Sequence, residues 1–154
     1  MSVVGVISDT HGLLRPEVLK LFKDVDLIVH AGDIGKPEIL DELRKLAPVV
    51  AVRGNNDNGP WANRIPESAT VTVAGASIFV IHDLKELTSL HPSVKADVIV
   101  SGHSHKPAIE RRDSVLYLNP GSAGPRRFKL PICVARLSIR HQSRPVARLI
   151  EITT

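Results

Sequence analysis

Five apolar runs in this chain end alike. "VVGVI" leads into Ser8-Asp9-Thr10-His11-Gly12, "LIVH" into Ala31-Gly32-Asp33, and "PVVAV" into Arg53-Gly54-Asn55-Asn56-Asp57. Later, "SIFVI" leads into His82-Asp83 and "DVIVS" into Gly102-His103-Ser104-His105. Short runs rich in Val and Ile are the mark of buried strands. Polar side chains are costly next to buried strands unless they are put to use. Ligands of open α/β sheets bind outside the carboxyl ends of the strands. Five such endings therefore predict one shared polar rim.

The elements between the runs set the fold class. Residues 16–22 and 37–46 read as helices, the second with Ile39, Leu40, Leu43 and Leu46 at helical spacing. Pro16 and Glu17 suit a helix start. Strands at 3–7, 27–30 and 48–52 alternate with them, which argues a parallel sheet with right-handed crossovers. After residue 66 strands dominate. Two are joined at Ala74-Gly75, a short helix falls at 84–91, and strands follow at 97–101, 108–111, 115–119, 132–139 and 146–152. This second half predicts another, mostly antiparallel sheet. The expectation is a single α/β domain over residues 1–154, with two facing mixed β-sheets flanked by helices.

Composition narrows the function classes. The chain has 154 residues, 43% hydrophobic and 23% charged, which is ordinary globular composition. Aromatics are 3%, Phe22, Phe79, Phe128, Trp61 and Tyr117, too few for a base-stacking platform. The single Cys133 excludes an internal disulfide and a multi-cysteine zinc site, and reads as a small packed hydrophobe. The net charge is +4, unevenly spread: −3 over residues 1–105 and +7 over residues 106–154. A basic surface favours anionic partners. The opening segment lacks a basic n-region and a cleavage site, and no apolar run approaches the ~20 residues of a membrane helix. A cytoplasmic location without membrane contact is the expectation.

The rim chemistry is that of a metal centre. It offers the carboxylates of Asp9 and Asp33, the imidazoles of His11, His82, His103 and His105, and the amide oxygen of Asn55. Mixed nitrogen and oxygen donors suit Mn, Fe, Zn, Ni or Co better than Ca or Cu(I). Residues 9 and 11 share a side in an extended segment, as do 103 and 105. Seven ligands suit two ions that share a carboxylate, most simply Asp33. Singly, each piece has a plainer account. Asp-Thr-His is often a turn and cap, Asn56-Asp57-Asn58-Gly59 is turn chemistry, and His82 alone reads as a packed core histidine. Together and in order, they favour the metal site. His30 reads as a supporting or merely packed residue, and His91 and His141 as surface residues.

The ordered set "DTH", "GD", "GNND", a strand-end His and "GHSH" resembles the motifs of the calcineurin-like metallophosphoesterases. Chain length and "LNPGS" at 118–122 resemble the small single-domain phosphodiesterase branch, the YfcE type. The resemblance spans residues 3–127. It implies two divalent ions, Mn foremost, with Ni, Zn, Fe, Co or Mg admitted. It places Asp9, His11 and His105 on one ion, Asn55, His82 and His103 on the other, and Asp33 between them. A metal-bridging water or hydroxide would be the nucleophile, with no further catalytic side chain. The implied substrate is a small phosphodiester or other phosphate ester.

Two positions depart from that pattern. Larger members carry a His after the ligand Asn; here Asn56 stands there and cannot act as a general acid. Losing such an acid typically costs about 10²–10⁴-fold, least for activated leaving groups. The family's His-Gly-His is His82-Asp83-Leu84 here, which puts an extra carboxylate at the rim. Asp57 is expected to orient a ligand histidine. Ser122 and Arg126 are candidate phosphate contacts, with a solvated basic turn as the plainer account. Arg53 either borders the site or forms a surface ion pair. Alternatives to the phosphodiesterase are a phosphomonoesterase, a non-catalytic scaffold of the same fold resembling the retromer subunit, and, least favoured, a nucleic-acid binder. A homo-oligomer stays open.

Overall fold

The strand-helix alternation of the first half builds half of a sandwich. The computed structural model describes residues 1–90 and 93–153. Strands β1 (Ser2–Ile7), β2 (Leu27–His30) and β3 (Val49–Ala51) are parallel neighbours, linked by α1 (Pro16–Leu21) and α2 (Pro37–Arg44). Both helices open on a proline that presets φ, with an acidic residue in the first turn and a basic one in the last. Ile39, Leu40 and Leu43 of α2 join Val18 and Phe22 against the outer face of this sheet. Phe22 lies directly on Gly5 of β1, where an added Cβ would come within 2.9 Å of its ring.

The second half is less antiparallel than the sequence suggests. A short helix, α3 (Pro60–Asn63), precedes the hairpin of β4 (Ser68–Val73) and β5 (Ala76–Ile81). Helix α4 (Glu86–Leu90) then carries the chain across to β6 (Val98–Val100), which pairs parallel to β5. The hairpin β7 (Ala108–Arg112) and β8 (Val115–Asn119) adds β8 parallel to β6. Two of the four pairings in the order β4-β5-β6-β8-β7 are thus parallel. The α4 crossover causes the first, since it returns the chain to the start of the sheet; the second arises because β8 rather than β7 lies beside β6. Strands β9 (Cys133–Ile139) and β10 (Val146–Glu151) join the first sheet instead, β9 antiparallel beside β1 and β10 antiparallel beside β9. The predicted strand at 132–139 is therefore an inner strand of a mixed sheet, with Cys133 buried.

Alternation along each strand divides three cores. Val4, Val6 and Val29 from one sheet meet Ile78, Val80 and Val100 from the other, which fills the space between the layers. Phe79, Ile81 and Ile99 point the other way, under Leu84 and Leu87. Parallel direction brings the carboxyl ends of β1, β2, β3, β5 and β6 to one rim. No helix among the described residues is long and apolar enough to cross a membrane.

His30, at the end of β2, is wholly buried beneath that rim. Its Nδ1 accepts the Gly32 N–H at 3.1 Å, so Nε2 carries the proton and faces Thr10 Oγ1 at 3.0 Å. The Thr10 hydroxyl in turn donates to the Ile34 carbonyl at 2.8 Å. The neutral imidazole completes this chain of bonds, and burial pushes its pKa down to about 4 against the opposing Asp9 and Asp57 charges. His141 is exposed, as expected; His91 lies outside the described residues.

Linkage gives the sign of the pH effect. The unfolded chain takes up a proton on this residue near pH 6.5, and the native state resists it until about pH 4. The stabilisation from His30 is full above pH 6.5 and declines toward pH 4 by about 3 kcal/mol. Chemical denaturation of the native protein and a His30→Gln variant at pH 7.5 and pH 4 should show that difference narrowing. A constant difference would contradict a neutral buried imidazole.

Candidate metal centre

The rim loops leave their strands through left-handed backbone. Asp9, His11, Asp33, His103 and His105 have φ of 55°, 47°, 55°, 70° and 62°. For non-glycine residues this conformation costs roughly 1–2 kcal/mol each. The extended geometry expected at 9–11 and 103–105 is therefore absent. Asp9 and His11 still converge, because the loop curls back on itself. His103 and His105 separate: His105 is buried against Asp9, and His103 stands exposed at the mouth.

Asp9 is at the centre, with no exposed surface. Its Oδ2 accepts the Ser8 hydroxyl at 2.7 Å and the His103 N–H at 3.1 Å. Its Oδ1 has no hydrogen-bond partner. Three imidazole Nε2 atoms surround that oxygen, His105 at 3.4 Å, His11 at 3.9 Å and His82 at 4.0 Å. Asp33 Oδ2 lies 3.3 Å from His82 Nε2 and 3.7 Å from His11 Nε2. Both Asp33 oxygens are held by Asn56, through its N–H at 2.9 Å and its side-chain amide at 3.1 Å. His82 directs Nδ1 at the Ala31 carbonyl, 2.7 Å away, which leaves the Nε2 lone pair of the neutral ring facing both carboxylates.

The glycines that precede these residues interlock the loops. A Cβ on Gly32, at φ 103°, would lie 2.6 Å from His82 Nδ1. One on Gly102 would lie 2.7 Å from Asp9 Oδ2 and strike the Ser8 hydroxyl, and one on Gly54 would strike Asp33. Each loop thus makes room for a side chain of another.

Asn55 and His103 form the outer part of the cluster. Asn55 Oδ1 is 3.3 Å from His103 Nδ1, and the His103 ring lies edge-on to His82 with centroids 5.2 Å apart. His103 Nε2 is 3.8 Å from Asp83 Oδ2, so the extra carboxylate at the rim sits beside a histidine. Asp57 does not orient a histidine. Its carboxylate accepts three backbone N–H groups, from Ile34, Gly35 and Gly54 at 2.9–3.1 Å, and pins two loops together. Ser122 is buried, with its hydroxyl donating to the Asp9 carbonyl at 3.0 Å rather than facing a ligand. Arg126 bonds Leu130 O within its own loop. Arg53 pairs with Glu67 at 2.8 Å and also lines a small cleft at the rim. Ser8 joins the site only through structure, since a serine at a strand end carries no signal apart from its bond to the Asp9 oxygen.

The electrostatics favour a cation. Burial alone would raise the Asp9 pKa, yet the close approach of His105, the Ser8 hydroxyl and the charges of His82 and His105 bring it below its usual value. Burial likewise opposes ionisation of Asp33, but His82, the Asn56 N–H and the charge of His11 hold it well below the carboxylate range. Burial would lower the His82 pKa; the close approach of Asp33 and both carboxylate charges raise it. Two ionised, buried carboxylates thus share a space with imidazole nitrogens. Asp9 Oδ1, His11 Nε2, His82 Nε2 and His105 Nδ1 are all buried without partners. Such orphans cost about 1–3 kcal/mol each. Ligand atoms of Asp9, His11 and His105, and of Asp9, Asp33 and His82, each fall within 4.8 Å of one another. The donor set fits divalent transition-metal ions.

A two-sheet sandwich with carboxylates and histidines gathered at the strand ends defines a class of metal-dependent hydrolases. The chain belongs to the calcineurin-like phosphoesterase superfamily, whose domain model matches residues 1–142. Its members use divalent metals. The chain is 41% identical to a probable metallophosphoesterase of Methanothermobacter thermautotrophicus over 132 residues, covering 78% of this chain and 76% of that one. Among solved structures, an archaeal phosphodiesterase superposes with a TM-score of 0.81 at 25% identity, covering 97% and 99% of the two chains. Vps29 of Entamoeba histolytica complexed with zinc superposes with a TM-score of 0.74 at 22% identity, over 97% and 98%, and shares the fold.

Manganese added to chelator-treated protein should raise the thermal unfolding midpoint. At about 100 times the dissociation constant the gain is ~2.7 kcal/mol. Asp9→Asn, which halves the charge facing the histidines, should remove most of that gain in the same melting assay.

Proposed function

We propose that this chain is a metal-dependent phosphodiesterase, acting as a single domain on small phosphodiesters at the rim of the sandwich. The observation that carries the reading is the buried, unpartnered Asp9 Oδ1 facing three imidazole nitrogens. Two divalent cations, Mn foremost, would supply Lewis acidity to the phosphoryl oxygens and a water acidic enough to be deprotonated at neutral pH. Asp9, His11 and His105 would hold one, Asn55, His82 and His103 the other, with Asp33 shared. The position of Asp9 Oδ1 within 4.0 Å of His82 makes Asp9 a second candidate for the shared carboxylate.

The protein's own groups have defined tasks in this scheme. Asn56 fixes the Asp33 carboxylate by two bonds and so sets the direction of its remaining lone pairs. The Ala31 carbonyl fixes the tautomer of His82. His103, exposed at the mouth and flanked by Asp83, is the ligand candidate that an incoming phosphoryl group would meet. Ser122 and Arg126 are engaged elsewhere, so phosphate recognition falls to the cations and His103. Asn56 supplies no ionisable proton, so departure of the second ester oxygen depends on its own acidity. The similarity to an archaeal phosphodiesterase supports a diester over a monoester.

The fold shared with Vps29 supports a second reading, a non-catalytic interaction protein. A zinc-complexed structure of that neighbour means that bound metal does not separate the two; turnover does. Hydrolysis of bis(4-nitrophenyl) phosphate should appear on adding Mn²⁺ to chelated protein and exceed that of 4-nitrophenyl phosphate. Asp33→Ala should reduce it by at least about 100-fold, in line with losses seen for groups that support metal sites. No metal-dependent turnover, or full turnover in Asp33→Ala, favours the scaffold. Across a series of aryl methyl phosphates, rate should fall steeply as the leaving phenol becomes less acidic, because Asn56 cannot protonate it.

A further inference from the structure

Two clefts open on either side of the His103–Asp83 pair. The smaller, about 320 Å³, runs past Arg53, Asn55 and Glu67. The larger, about 510 Å³, runs the other way, over the outer face of the second sheet from Gly102 toward Tyr117. Its volume falls in the ~300–1,000 Å³ range of small-molecule pockets. His103 and Asp83 line both. A phosphorus held at His103 would therefore sit at a shared wall, with its ester substituents pointed into different clefts. A monoester would leave one of them empty.

The lining of the larger cleft specifies what it takes. Leu84, Ala108 and Tyr117 make an apolar floor. The Arg112 guanidinium lies 4.6 Å from the centre of the Tyr117 ring and gives a flat wall. Its carboxylates are engaged: Glu110 bonds Arg112 at 3.1 Å, and Asp83 accepts the Lys85 N–H at 3.1 Å beside His103. Asn119 is likewise committed, donating to Gly102 O and Ser104 Oγ. Lys85 and Lys106 line the cleft too, and neither ammonium group has a carboxylate partner among the described residues. Apolar floor, flat wall and two unpaired cations together describe a ring-bearing anion.

We propose that the larger cleft receives one ester arm of the substrate, and that this arm is a ring-bearing group carrying a second anionic substituent, as in a nucleoside with an additional phosphate. This rests on the phosphodiesterase reading of the rim and names the substrate class of that site. Lys85 and Lys106 bind the second anion, and Tyr117 with Leu84 covers the ring.

The test is calorimetric binding to Mn²⁺-loaded protein, which needs no turnover. Thymidine 3′,5′-bisphosphate should bind about tenfold tighter than thymidine 5′-phosphate, as two charge-assisted contacts allow. In a Lys85→Ala/Lys106→Ala variant, both at exposed positions where folding is not at stake, the two affinities should agree within about twofold. Tyr117→Ala should weaken both nucleotides relative to inorganic phosphate. Equal affinities in the native protein, or a preference that survives the double substitution, overturns the proposal. A preference that behaves as expected in protein that fails to hydrolyse bis(4-nitrophenyl) phosphate supports the cleft assignment and overturns the enzymatic reading alone.

Discussion

A carboxylate with no exposed surface organises the rim. Asp9 is ionised in a place where burial opposes charge, and nearly every local choice around it answers that cost. The Ser8 hydroxyl and the His103 N–H satisfy one oxygen, and Gly102 vacates the space that this arrangement needs. The other oxygen stays open toward three imidazoles. A buried acceptor left open beside nitrogens that can also be lone-pair donors is stable only with a positive charge among them, whether proton or metal. The backbone strain at Asp9, His11 and Asp33 belongs to the same account, since it aims these side chains at that charge.

Around this centre the supporting groups act on the backbone rather than on the ligands. Asp57 collects three amides from two loops, Ser122 holds the carbonyl of Asp9, and neutral His30 bridges the loops after β1 and β2. The centre is preorganised because the loops are fixed, and the ligands follow. Charge elsewhere is less tightly arranged. The basic excess of the last third is divided between Lys106 and Arg112 near the larger cleft, the Arg126 loop, and Arg140 and Arg144 at the turns on the opposite end of the sheets. Net charge alone could not have shown that division.

How much was legible beforehand differed by scale. Strand runs, the two longer helices and the residues of the rim were visible, because Val/Ile runs and Gly-Asp or Gly-His endings leave a local mark. Direction was less visible. Nothing local in Val98–Val100 says that α4 will return the chain parallel to β5, nor does Cys133–Ile139 disclose that it joins β1. Helix α3 has only four residues and no hydrophobic period. Side-chain direction at 103 and 105 is hidden, because spacing suggests one side and left-handed φ values send the two histidines apart. The partners of Asp57 and Ser122 lie 3–23 and 113 residues away, at backbone atoms that every residue type shares, so no residue pattern could announce them.

The ligand candidates come from both layers. Asp9, His11, Asp33 and Asn55 follow strands of the first sheet, and His82, His103 and His105 follow strands of the second. Any cation held among them would be a rivet through the open edge of the sandwich, closing a loop of chain as a disulfide does elsewhere, in a protein whose single cysteine can form none. A rivet keeps its mechanical value whether or not chemistry is done at its head. Selection on stability alone could then preserve such a ligand set after turnover was lost, and one fold could pass from enzyme to adaptor without dismantling its centre.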